Sequence, residues 1–367
     1  MNKKTSQKQT TNYPTFKAND IQVYESQLEI NEFEEFYSEI TAFKEYVLNI
    51  KSKCDTFDIT IPSLNEKTEF INQNKPNIFS KFNQHFDYIY TFSKKLTKND
   101  YKKLQSDYQS IFVPIFGTSP LNKMIYEKPL GYAGDFRMMK HYYNDDYSGD
   151  STFDTLCHRY SLELPDSRAN INRKEIFFKE IKESISKNSN SKIVSFGSGT
   201  AIEFIEVLKQ SIPLKNAEFT FVDVEELAFE FIKLNIELHS KDNKNGKLNF
   251  LNLNLLKLLA GKEPPQELQK SDLIYACGIF DYFNEKLASK LLKLMYSLLN
   301  PKGKLIIANV AKGHNAIGYM EFLGDWVLHL RNEDDLKRLA EGIHGYKSLV
   351  TKPDPENGAN IYLVIQK

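Results

Sequence analysis

The segment Gly197-Ser198-Gly199-Thr200-Ala201 stands between a short apolar run, Lys192 to Phe196, and a helix-patterned stretch from Ile202 to Gln210. A strand that enters a helix through such a turn brings bare backbone against a ligand. Glycine accepts unusual φ and close approach, and the helix start adds oriented N–H groups. Asp223 closes the next apolar run, Glu218 to Val222, 24 residues after Gly199. At that strand end of a doubly wound sheet a carboxylate faces the crevice, where it can accept both hydroxyls of a ribose. The chemistry these residues suit is the holding of a nucleoside.

Which nucleoside follows from the third position of the loop. A dinucleotide fingerprint places another glycine three residues after the second, where this chain has Ile202. Ala201 instead completes a G-x-G-x-small pattern, the form found at S-adenosylmethionine (SAM) sites. SAM has no pyrophosphate to cradle. Its amino acid end can approach the loop, and its sulfonium favours acidic or polar surroundings. Glu203, one turn into the helix, is placed to meet the methionine ammonium directly or through water. SAM is the expected cofactor. No metal is expected: the seven histidines include no HxxxH or HxH pair, and Cys54, Cys157 and Cys277 form no CxxC.

The elements that must carry these residues show a change of period along the chain. Phe33, Phe36, Tyr37, Ile40, Phe43, Val47 and Ile50 recur at spacings of three and four, as do Phe82, Phe86, Ile89, Phe92 and Leu96. These are buried faces of amphipathic helices. Glycine is absent before Gly117, which suits helices better than hairpins. From about residue 190 short apolar runs alternate with helical ones. After Leu248 to Leu253 and Asp272 to Ala276 comes a helix through Leu287, Leu291, Met295 and Leu298. Pro301-Lys302-Gly303 then predicts a turn before a fifth strand, Lys304 to Asn309. Alternation of this kind gives a parallel sheet with helices on both faces. Tyr346 to Val350 and Asn360 to Ile365, around a Pro/Gly/Asn turn, predict a terminal antiparallel hairpin.

Composition excludes other classes. With 367 residues, 41% hydrophobic and 26% charged, the chain is globular material, and 26 Phe and 20 Tyr make its interior aromatic. Forty-eight basic side chains balance 48 acidic ones, so no basic surface recommends nucleic acid as a partner. Met1 to Ala18 is polar and lacks the apolar core of a signal peptide, and no apolar run approaches the ~20 residues of a membrane span. A cytoplasmic location is expected.

The segment from about 188 to 367 resembles a class I SAM-dependent methyltransferase. Three further stretches narrow the likeness: Tyr126-Glu-Lys-Pro-Leu-Gly131-Tyr132-Ala133-Gly134-Asp135, Ala276-Cys277-Gly278-Ile279-Phe280-Asp281-Tyr282, and Tyr319-Met-Glu-Phe-Leu-Gly-Asp325-Trp326. Together, over roughly residues 115 to 367, they are similar to bacterial methyltransferases of 3-hydroxypalmitic acid methyl ester biosynthesis. The implied fold is α/β, a Rossmann-like class I methyltransferase sheet with a C-terminal antiparallel hairpin, preceded by a mainly helical N-terminal region. Expected boundaries are a disordered tail over 1–18, a helical domain over 19–114, a helical lid over 115–187 and the methyltransferase domain over 188–367.

By position, the resemblance places Gly197, Ser198, Gly199 and Glu203 at the methionine end of SAM and Asp223 at the ribose. Asn254 falls where this fold contacts adenine, keeping an amide but not the usual charge. Cys277 and Gly278 fall beside the sulfonium, the thiol as a small wall residue. In the lid, Tyr132 and Asp135 could help bind SAM. Arg173 could grip a carboxylate, of SAM or of acceptor, with His158, Arg159, Asn170 and Asn172 as neighbouring donors. Tyr282, Tyr319 and Trp326 either line the acceptor site or pack its wall.

Methyl transfer is an in-line displacement, and positioning supplies most of its acceleration. A carboxylate acceptor is already ionised at neutral pH and needs no base; a hydroxyl or amine more often does. The expected activity is methyl ester formation on a fatty or other small apolar acid. The alternatives are O- or N-methylation of another metabolite with His314 or Asp281 as base, and a SAM sensor without turnover. A homodimer through the helical half is compatible with the sequence but rests on no residue.

Overall fold

The computed structural model describes residues 30–144, 146–239 and 246–367; the tail expected over 1–18 lies outside them. Seven helices precede the first strand among the described residues: α1 (Ile30–Asp58), α2 (Leu64–Ser93), α3 (Lys98–Phe116), α4 (Pro120–Glu127), α5 (Phe136–Asn144), α6 (Thr152–Glu163) and α7 (Pro165–Lys187). Their starts carry the expected chemistry. Ser63 and Glu66 form a reciprocal capping box at α2, and Thr97 caps α3. The apolar stripes of α1 and α2 pack with α3 into an aromatic core holding Phe36, Phe43, Phe82, Phe86, Phe112 and Phe116. Each buried Phe contributes about 2–3 kcal/mol of transfer free energy. Tyr37 departs from its stripe: it is 37% exposed, and its hydroxyl donates to Asp107 at 2.7 Å.

The second half is a seven-stranded sheet in the order β3-β2-β1-β4-β5-β7-β6. Strands β1 (Lys192–Phe196), β2 (Glu218–Asp223), β3 (Lys247–Asn252), β4 (Ser271–Ala276) and β5 (Leu299–Val310) are parallel. The hairpin of β6 (Ser348–Pro353) and β7 (Asn360–Gln366) joins β5 through antiparallel β7. Alternate strand residues serve opposite faces. Ile193 and Phe219 meet α7, α8 (Ile202–Lys209) and α9 (Glu226–His239), whereas Val194 and Val222 meet α10 (Leu255–Leu259), α11 (Glu285–Ser297) and α13 (Glu333–Leu339). This is the Rossmann-like α/β fold with a C-terminal antiparallel hairpin. Strand order reverses between β1 and β4, and ligands of such sheets bind outside the strand ends at that point.

Two details differ from the sequence expectation. The turn expected at Pro301-Lys302-Gly303 is a bulge inside β5: pairing passes from Ser271–Leu299 to Leu273–Lys304, and Lys302 takes φ +68°. Leu299 is buried and pairs before the irregularity, so the strand starts earlier than its continuous apolar run. After β5 the chain returns to the helical half through α12 (Ala316–Gly318) and a wider turn, Tyr319–Leu323. Tyr319, Phe322 and Trp326 enter the aromatic core there. Gly318 lies so close to α2 that a Cβ would stand 2.2 Å from the Phe86 carbonyl oxygen.

Candidate active site

A cavity opens at the switch point, between the C-terminal ends of the strands and the helical half. It is lined by Tyr132, Arg173, Gly197, Ser198, Gly199, Glu203, Asp223, Asn254, Cys277, Gly278 and Tyr282 of the expected set. Asp135 and His314 are not among its lining residues. Asp135 is buried behind the wall, where one carboxylate oxygen accepts from the backbone N–H groups of Arg137 and Met138 and so starts α5. His314 lies in the loop after β5, and burial pushes its pKa down to about 4. Its place in the chain, close after a strand end, resembled that of a catalytic base. The chain instead turns there toward the helical half, and α12 follows at once.

The glycine loop is shaped by left-handed backbone. Gly197 (φ +63°), Gly199 (φ +48°) and Ala201 (φ +44°) alternate along it. A Cβ at Gly197 would lie 2.0 Å from Ile279 Cγ2, so only glycine fits between β1 and the β4 loop. Ala201 is 1% exposed in the core beneath the loop, so a larger side chain would have to displace packed neighbours. The loop N–H groups do not point into the cavity as a free cradle. Those of Gly197 and Ser198 donate to the Val222 carbonyl at 2.8 and 3.1 Å, and that of Gly199 donates to Asp223 Oδ2 at 2.8 Å. Asp223 Oδ1 accepts from Val224 and Glu225 at 2.8 and 3.0 Å. The carboxylate is thus locked to both strand ends before any ligand arrives, and burial raises its pKa against those bonds.

Around this floor the other groups take distinct states. Glu203 is 5% exposed, accepts from the Tyr275 hydroxyl at 2.8 Å, and has its pKa raised by burial. Cys277 is held as a thiol, its pKa driven well up by burial. Asn254 uses its side-chain oxygen to cap α10. Asp281 accepts from the Val310 N–H at 2.6 Å, and burial pushes it up to about 6. Tyr282 and Trp326 form the far wall: the Tyr282 hydroxyl donates to the Ala133 carbonyl at 2.7 Å. A Cβ on Gly134 would meet that hydroxyl at 2.2 Å and Trp326 Cζ2 at 2.8 Å, so the glycine is what lets the 131–135 turn close down.

Other expected residues are drawn elsewhere. Tyr319 is buried in the helical core, bonded to Ser161 at 2.5 Å and to Asn122. Arg159 pairs with Glu163 at 3.0 Å, and His158 meets Asp146 at 2.9 Å. Asn172 donates to Glu356 at 2.6 Å on the hairpin turn. Sequence reasoning missed Phe136, Met139 and Tyr143 of α5, together with Val310 and Leu328, all of which line the cavity. It also missed Arg331, 1% exposed, which donates to the carbonyls of Phe280 and Phe283 at 2.9 and 2.6 Å and so fixes the loop carrying Asp281 and Tyr282. No local signal marks these residues; α5 looks like any short amphipathic helix. Among the described residues no group of three His, Cys, Asp or Glu side chains could hold a metal ion, and no helix is long and apolar enough to cross a membrane.

No protein-family model matches this chain, and no curated protein is similar to it. Among solved structures it is similar to a possible exported protein from Bordetella parapertussis, at 14% identity over 67% of this chain and 86% of that one, with a TM-score of 0.52. A looser likeness, TM-score 0.39, joins it to magnesium protoporphyrin IX methyltransferase from Synechocystis PCC 6803 with bound SAM, at 13% identity over 55% and 84% of the two chains. An O-methyltransferase family protein from Burkholderia thailandensis gives 0.37, at 13% identity over 55% and 59%. The first is a likeness of fold, and the looser two add nothing to it.

Proposed function

We propose that the chain is a SAM-dependent methyltransferase that forms a methyl ester on the carboxylate of a fatty or other small apolar acid. The observation that carries this reading is the switch-point cavity itself. Its floor is a left-handed glycine loop tied to Asp223, and its roof holds a buried guanidinium, Arg173, among apolar side chains. Gly199 fits close approach, since a Cβ there would find only Phe136 Cβ, 3.8 Å away. Asp223 would take the ribose hydroxyls on its remaining lone pairs, Glu203 the ammonium, and the Asn254 amide the adenine. SAM, when bound, supplies an electrophilic methyl group on a sulfonium.

The chain's own contribution is positioning and desolvation. Tyr282, through Ala133, keeps the lid turn down over the cavity. Phe136, Met139 and Leu328 give an acceptor tail a dry wall, and Arg173 offers a carboxylate its donors. The test is transfer of label from methyl-labelled SAM to a panel of fatty acids, followed by mild alkali. Volatile methanol supports the ester; label that stays on the product sinks it.

Base-dependent methylation is the second reading, favoured by Asp281, a cavity carboxyl raised to about 6. The ester reading expects Asp281→Asn to keep kcat within about tenfold of wild type. A base would cost roughly 10²–10⁴-fold.

A further inference from the structure

Three arginines are buried among the described residues: Arg159, Arg173 and Arg331. Arg159 has Glu163 at 3.0 Å and Arg331 has Glu285 at 3.0 Å. Arg173 has no such partner. Its Nη1 donates to Asn170 Oδ1 at 2.8 Å and its Nη2 to Met139 Sδ at 3.3 Å, and it also bonds the Tyr143 hydroxyl, whose pKa burial raises to about 12, so all three partners are neutral. Of the acids that feel its charge, Glu203 is bonded to Tyr275 and Asp281 to the Val310 N–H. The guanidinium lies over the end of β4, where a Cβ on Gly278 would stand 3.0 Å from Nη1. A buried cation with no carboxylate bonded to it is costly unless a ligand supplies one.

We infer that Asn170 is a positioning residue that holds Arg173 without neutralising it, reserving the cation for a ligand carboxylate. Residues 170 and 173 are spaced i, i+3 on α7, a separation at which aspartate and arginine pair readily. An amide gives the same acceptor geometry and leaves the charge intact. Asn170 is itself fixed from the sheet, since its Oδ1 also accepts from Asn360 Nδ2 on β7 at 3.3 Å. The glycine loop strengthens the point. With the N–H groups of Gly197, Ser198 and Gly199 given to β2, the loop cannot hold an anion with them, and that work falls to Arg173. The inference rests on the SAM and carboxylic acid reading for its ligands; two carboxylates fit it, that of the SAM methionine and that of the acceptor.

The test is calorimetric binding by wild type, Asn170→Asp and Asn170→Ala of four probes: SAM, decarboxylated SAM, decanoate and decan-1-ol. The inference expects Asn170→Asp to weaken a carboxylate probe roughly ten- to a hundredfold, its decarboxylated or alcohol counterpart unchanged, and Asn170→Ala to lose less. Loss on SAM assigns the cofactor carboxylate, and loss on decanoate assigns the acceptor. A merely structural residue gives the opposite ranking, because aspartate keeps the bond that alanine removes. That ranking, or aspartate binding all four probes as wild type does, overturns the inference. If Asn170→Asp does not fold, Arg173→Met must show the same carboxylate-only loss, and its absence is equally fatal. Wild type that binds no SAM ends the methyltransferase reading while the decanoate pair still decides Asn170. Wild type that binds neither carboxylate overturns both.

Discussion

At the start of α7, Asp166 is 2% exposed and its Oδ1 has no hydrogen-bond partner. Burial pushes its pKa up to about 7, opposed only by backbone N–H groups. The folded state therefore binds this proton more tightly than the unfolded chain, where an aspartate titrates near 3.9. Its contribution to stability is complete below about pH 4 and is lost as pH rises toward 7. Asp166→Asn should change Tm little at pH 4 and raise it by several degrees at pH 7 to 8, with the gain opening between those values. Thermal unfolding of both proteins across that range checks it. A constant offset at all pH values would show that the carboxyl does not titrate in the fold. Asp281, pushed up by burial to about 6, adds a loss of the same sign between about pH 4 and 6.

At the scale of elements, the turn between α4 and α5 is held at two kinds of point. Lys128 pairs with Asp325 at 2.6 Å, and the Tyr282 hydroxyl donates to the Ala133 carbonyl. The first is surface chemistry and contributes little. The second lies in a dry wall and is worth about 1 kcal/mol. Tyr282→Phe should leave Tm within a degree or two yet weaken SAM binding about fivefold, with faster amide exchange over residues 131–135. Unchanged affinity and exchange would show that the turn keeps its place without this bond. Much of this architecture was legible beforehand. The change of period near residue 190 located the sheet, and Gly197, Gly199 and Asp223 located its switch point. What stayed hidden depends on contacts distant in sequence. Tyr143 faces the cavity because α5 lies across it, and Arg331 reaches back to Phe280 and Phe283. The loop's N–H groups could not be read at all, because their direction is set by φ and not by residue type.

For the molecule as a whole, the two halves are joined by a returning segment more than by a linker. Tyr319, Phe322 and Trp326 come from beyond β5, yet belong to the aromatic core of the first helices. Gly318 is a point of close backbone approach in that junction. Gly318→Ala should cost about 1–3 kcal/mol, since the obstacle is the Phe86 carbonyl and not a side chain that can swing away. A fall in Tm of the entire transition, without a new separate one, is expected if the halves unfold together; calorimetry distinguishes the two. An unaltered Tm would mean that α2 shifts freely against the segment. A second tie runs along the other side. Asn357 donates to the Pro165 carbonyl, Asn172 to Glu356, and Asn360 to Asn170, so the β6–β7 turn grips the first turns of α7. A ribosome releases this chain from its first residue to its last, and α7 emerges nearly two hundred residues before that grip exists. Asn170 therefore gains its second partner, Asn360, only after the residues of β7 have been made, and the first turns of α7 stay ungripped on that side until then.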